Sequence, residues 1–138
     1  MKTNIFKTLI VAFAAITILA ACNKEEEKAA APVITLTEVG HENSHRATPG
    51  DDMHLEADIV AEGLINAINV ELHLEEGGDY EIEKSYTEGK YIGVRNTEFH
   101  EHIDIPADAP NGEYHLHFTV TDREGQQTSA TAHVIVGE

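Results

Sequence analysis

From Val33 onward the chain alternates apolar and polar residues with a period of two, and this property decides what it can fold into. A helix buries residues three and four apart, whereas a strand buries every second one. Val33-Ile34-Thr35-Leu36-Thr37-Glu38-Val39 opens the pattern. Met53, Leu55, Ala57 and Ile59 then alternate with His54, Glu56 and Asp58, and Ile68, Val70, Leu72 and Leu74 with Asn69, Glu71 and His73. Residues 80–94, rich in Tyr, Glu and Gly, are less clearly patterned. Phe99, Glu101, Ile103 and Ile105 enclose His100, His102 and Asp104. Tyr114, Leu116, Phe118 and Val120 interleave with His115, His117 and Thr119, and Ala130, Ala132, Val134 and Val136 with Thr131, His133 and Ile135. Turn signals separate the runs: Pro49-Gly50-Asp51, Gly77-Gly78-Asp79, Pro110-Asn111-Gly112 and Asp122-Arg123-Glu124-Gly125. No stretch joins helical spacing to good caps. About seven short strands, each with one apolar edge, predict an all-β sandwich of two sheets.

Upstream of the strands, Lys2 and Lys7 precede an apolar run from Leu9 to Leu19, which leads into Ala20-Ala21-Cys22. This is the layout of a secretory signal with small residues at its cleavage point, and the run is short for a membrane span. Cys22, the only cysteine, lies where a bacterial lipoprotein signal is cut and the new terminal cysteine acylated. The expected organisation is a lipoprotein signal peptide over 1–21, an acylated cysteine and acidic tether over 22–32, and one β-sandwich domain over 33–138.

Charge narrows the partners. The chain carries 9 Lys and Arg against 25 Asp and Glu, a formal net charge of −16, and removing the signal would take away Lys2 and Lys7 but no acid. That balance excludes nucleic acid, whose binding depends on cationic side chains at phosphates. It also disfavours a face lying on anionic lipid. Cations and basic partners are the natural attraction. With Cys22 used as an anchor, the domain has neither a disulfide nor a thiolate for a metal.

One passage makes the fold more specific. Ile103-Asp104-Ile105-Pro106-Ala107-Asp108-Ala109-Pro110-Asn111-Gly112-Glu113-Tyr114-His115-Leu116, running on to Asp122-Arg123-Glu124-Gly125, resembles the end of many bacterial immunoglobulin-like domains. The resemblance implies an immunoglobulin-like antiparallel sandwich with Tyr114 as its tyrosine corner. His-x-His before Ile-x-Ile-Pro, followed by Tyr-His, resembles a family of uncharacterised Bacteroidota lipoproteins with a single domain of unknown function. Lys24-Glu25-Glu26-Glu27 behind Cys22 is similar to the export signal of surface lipoproteins in that group. These likenesses imply an outer-membrane lipoprotein exposed at the cell surface, and they bring no activity.

Nine histidines in so short a chain are the main chemical signal. His54, His73, His100, His102, His115, His117 and His133 all fall between core positions, so they should point outward. In an immunoglobulin-like topology the second and fifth strands pair in one sheet, and the third, sixth and seventh in the other. His54 would then lie beside His100 or His102, while His73, His115 or His117, and His133 would form a row on the opposite face. Neighbouring strands lie about 4.8 Å apart, so such imidazoles can converge on one ion with Zn–N of about 2.0–2.1 Å. Glu56, Asp58, Glu71, Glu101, Asp104 and Glu113 are carboxylates near enough in sequence to complete a shell. A nitrogen and oxygen site without sulfur suits Zn²⁺, Cu²⁺ or Ni²⁺. Two other readings compete: a merely solvated polar face, and a pH-sensitive one.

Other chemistry is thin. His41-Glu42-Asn43-Ser44-His45 spells the zinc-protease motif, which needs a helix to put both histidines on one face. Gly40 and Pro49-Gly50 leave no room for one, so a loop is expected, with His41 and His45 available at one end of the sandwich. There is no nucleophile elbow or glycine-rich phosphate loop. Asp51-Asp52 and Asp122-Arg123-Glu124 read as turn formers rather than a calcium loop. Tyr80, Tyr86 and Tyr91 could form a sugar or partner patch, although such tyrosines more often pack an edge. The expectation is a binding protein and not an enzyme. A transition metal is the first ligand to consider, and the alternative is a non-enzymatic module for a surface protein or glycan.

Overall fold

The computed structural model describes residues 27–138. The signal segment, Cys22 and the start of the tether lie outside the described residues. Eight strands follow in order: β1 Val33–Val39, β2 Arg46–Ala47, β3 Asp52–Val60, β4 Ile65–Leu74, β5 Glu81–Tyr86, β6 Asn96–Asp104, β7 Gly112–Asp122 and β8 Gln127–Val136. They form a three-stranded sheet of order β1-β3-β6 and a five-stranded sheet of order β2-β8-β7-β4-β5. Pairing is antiparallel except for the short β2, which runs parallel to β8. This is the expected immunoglobulin-like sandwich.

The extra strand arises because the first segment changes sheets. After β1 the chain turns sharply at Gly40, whose φ is +74°, and a Cβ there would sit 2.7 Å from the Arg46 carbonyl oxygen. Only glycine fits that approach. His41–Asn43 form one 3₁₀ turn in which Glu42 has φ 53°, so the zinc-protease motif lies in a loop, as its flanks predicted. β2 then joins the other sheet through Ile135 N–H to the His45 carbonyl at 2.9 Å.

Alternate residues of the predicted runs supply the core, although Glu101, Ala130 and Ala132 in the same rows are only partly buried. Leu55, Ala57, Ile68, Leu72, Phe99, Tyr114, Leu116 and Phe118 have no exposed surface. Phe99 from one sheet meets Phe118 from the other edge-to-face at 4.9 Å, a favoured aromatic geometry. The Tyr114 hydroxyl donates to the Pro110 carbonyl at 2.9 Å, which is the expected corner. Asp122 is buried at the β7–β8 turn, where its carboxylate accepts the Glu124 and Gln126 N–H groups. It is a turn former there.

The two ends of the sandwich differ. At one end lie the β3–β4 and β7–β8 turns, and the chain enters beside them: Ala29 N–H donates to Glu124 Oε2 at 3.0 Å, and Ala30 N–H to Glu62 Oε2 at 3.3 Å. The registers Val33↔Val60, His54↔His102, His73↔His115 and His115↔His133 put the histidines toward the other end. His54 stands six residues along β3 from Val60, roughly 20 Å at about 3.3 Å per residue.

Candidate metal centre

On the outer face of the three-stranded sheet, β3 and β6 are in register with His54 opposite His102 and Glu56 opposite His100. Opposite residues stand close and i, i+2 neighbours share a face. Three imidazoles therefore gather from two strands, with ring centroids 4.6 Å apart for His54–His100, 5.0 Å for His54–His102 and 6.0 Å for His100–His102. A ring nitrogen from each lies within 4.8 Å of the other two.

The carboxylates around them are arranged by role. Glu38 Oε1 is 3.1 Å from His54 Nδ1, Asp52 Oδ1 is 2.8 Å from His102 Nδ1, and Glu56 Oε1 is 3.0 Å from His100 Nδ1. Each ring thus has Nδ1 against a carboxylate, which favours Nε2 as the binding nitrogen at His100 and His102, while at His54 the Nε2 atom also lies 3.3 Å from Glu56 Oε1. His54 Nε2 and His100 Nε2 face each other at 3.0 Å. At that distance one nitrogen donates a proton to the other, or both face a shared cation. Two nitrogens on one tetrahedral Zn²⁺ sit about 3.3 Å apart, so the observed separation needs only a small adjustment. Side-chain exposure rises from 17% at His54 to 52% at His100 and 57% at His102, so the centre opens to solvent on the β6 side.

Electrostatics supports the same roles. Hydrogen bonding and charge from Asp52 outweigh desolvation and raise the His102 pKa above its ordinary value. Burial alone would raise the Glu38 carboxyl, but the His54 hydrogen bond, its charge and backbone N–H groups hold it below the usual range.

The seven predicted histidines divide between two faces. His73, His115 and His133 form the expected row across β4, β7 and β8, with His117 beside it. Their rings touch: His115 stacks on His133 at 5.1 Å, lies 4.5 Å from His117, and His117 meets His73 at 5.5 Å. Among the described residues, however, no three of these four bring ring nitrogens together as His54, His100 and His102 do. Their near ligands are carboxylates instead: Glu71 and Glu81 beside His73, and Glu75 and Glu113 beside His133. The His45 ring bonds the His133 carbonyl at 3.0 Å, and neither it nor His41 enters a cluster among the described residues.

Several carboxylates take places that sequence reasoning did not give them. Glu38 reaches His54 because a bulge between Leu36 and Glu38 rotates it outward. The signal was the three-residue step from Leu36 to Val39, which breaks the period of two. Asp52 is a strand residue opposite Asp104 rather than only a turn former. Glu101 belongs to the inward row with Phe99 and Ile103, and it bonds the Tyr91 hydroxyl at 2.6 Å and Lys90 at 3.1 Å instead of joining the histidines. Tyr91, only 3% exposed, packs the sandwich edge against Tyr86 and Phe99.

Comparison with known families adds one finding. The model of a domain of unknown function, DUF4625, matches residues 20–136. The chain belongs to this family. The DUF4625 match runs through all eight strands and both histidine faces, and an uncharacterised single-domain family is what the His-x-His, Ile-x-Ile-Pro and Gly-x-Tyr-His motifs led us to expect. No curated protein matches the chain. DUF4625 membership carries no activity with it, so function rests on the chemistry of the histidine centre.

Proposed function

We propose that this domain binds a divalent transition-metal ion through His54, His100 and His102, as the displayed part of a membrane-anchored surface lipoprotein. The observation that carries the reading is the convergence of three imidazoles whose Nδ1 atoms all meet carboxylates. Simple surface polarity needs hydrophilic side chains but no such pairing. Three nitrogen ligands with an open side suit Zn²⁺, Cu²⁺ or Ni²⁺. The net charge of −16 draws cations toward the face. The role is sequestration or delivery rather than turnover, in keeping with a centre on an open sheet. Entry of the chain at the end opposite the histidines favours a domain that holds them away from its anchor.

Electron paramagnetic resonance of the Cu²⁺-loaded protein tests the ligand set. Nitrogen superhyperfine structure is expected, and His54→Ala/His100→Ala should remove it. A spectrum of oxygen ligands alone in the wild type would contradict the reading.

A further inference from the structure

We propose that Tyr91 is the positioning residue of this centre, its hydroxyl holding the backbone of His100 where a neighbouring strand would otherwise do so; this rests on the metal-binding reading above. β6 is an edge of its sheet, so one side of its backbone has no ladder partner. Two of the three imidazoles ride on that edge. Segments with few partners are the first to open locally, which would let both rings drift from the centre.

At His100 the edge is closed. The Tyr91 hydroxyl accepts the His100 N–H at 3.2 Å and lies 2.9 Å from the His100 carbonyl oxygen. Those are the two groups that a paired strand would engage. The hydroxyl is itself held firmly, because the Tyr91 ring is buried 4.9 Å from Phe99 and 6.0 Å from Tyr86. Its one proton is shared between that carbonyl and Glu101 Oε1 at 2.6 Å, the stronger acceptor. Lys90 neutralises that carboxylate at 3.1 Å and lies 4.7 Å above the Tyr91 ring. Glu101 is accordingly held below the usual carboxylate range, its burial outweighed by Tyr91 and Lys90.

The consequence is a division of labour along β6. His100 turns outward to the centre while Glu101, the next residue, turns toward the sandwich and locks the strand to the β5–β6 connection. Carboxylates aim the rings, and Tyr91 fixes the backbone they hang from. Ligands held in advance bind more tightly because less ordering remains to be done.

The test is Zn²⁺ titration calorimetry and amide hydrogen exchange on the full chain carrying Tyr91→Phe, with Tyr86→Phe as the control. Phenylalanine keeps the buried ring and removes only the hydroxyl. Tyr91→Phe is expected to weaken Zn²⁺ binding roughly ten-fold, the scale of outer-shell losses, and to speed exchange at the His100 amide. Tyr86→Phe should alter neither. If Tyr91→Phe fails to fold, Glu101→Gln carries the same test, with a smaller loss of affinity expected. Wild-type affinity in the variant overturns the role of Tyr91 alone, whereas a wild type that binds no Zn²⁺ overturns the metal reading and this inference together.

Discussion

His54 and His102 stand directly opposite each other on β3 and β6, and each has Nδ1 against a carboxylate, Glu38 for one and Asp52 for the other. A pair built only to keep the face wet would not need both rings oriented this way. The relationship turns two adjacent imidazoles into candidate ligands with oriented rings.

The carboxylates give the first prediction. Glu38→Gln and Asp52→Asn should each weaken Zn²⁺ binding by about 10–100-fold without changing the number of ions bound. Calorimetry of both variants beside the wild type, all at one pH, is the suitable measurement. Unchanged affinity in both variants would remove the carboxylates from the account.

Proton competition gives the second. The Asp52 carboxylate raises His102 above the ordinary histidine value of 6.5. A raised histidine stabilises the protein in its protonated form, fully below 6.5, and that contribution is lost as pH rises through the raised value. An ion must displace the same proton. Zn²⁺ affinity should therefore climb from pH 6 to pH 8, with proton release that grows as the pH of measurement falls. Calorimetry in buffers of different ionisation enthalpy measures that release, and a pH-independent affinity would contradict the centre.

Much of this was legible in the sequence, for identifiable reasons. Period-two alternation around His54, His73 and His100–His102 gave both the strands and the outward direction of the rings. Motif likeness supplied the topology that pairs β3 with β6. Glu38 stayed hidden because a bulge shifts it by one residue, and alternation cannot locate bulges. Alternation puts Glu101 in the inward row with Phe99 and Ile103, but its partner stayed hidden because Tyr91 lies ten residues away in a loop without periodicity.

Core packing offers a prediction independent of metal. Phe99 is fully buried and touches Phe118 and Tyr91, so Phe99→Ala should cost about 3–5 kcal/mol of stability. Tyr114→Phe removes only the corner hydrogen bond and should cost about 1 kcal/mol. Urea unfolding followed by circular dichroism gives both values, and the reverse order would contradict the packing described.

Anchorage is tested in cells. Cys22→Ser should abolish fatty-acid labelling and release the protein from membranes. Protease added to intact cells should degrade the wild type if the acidic tether directs it outward. Protection until the outer membrane is broken would argue for an inward-facing lipoprotein.

Whether His54, His100 and His102 hold an ion is decided by Zn²⁺ titration calorimetry of the full chain beside its His54→Ala/His100→Ala/His102→Ala and His115→Ala/His117→Ala variants. Binding tighter than about 0.1 mM is expected in the wild type, lost in the triple variant and kept in the double one. Wild-type binding weaker than that, or undiminished binding in the triple variant, would contradict the metal reading.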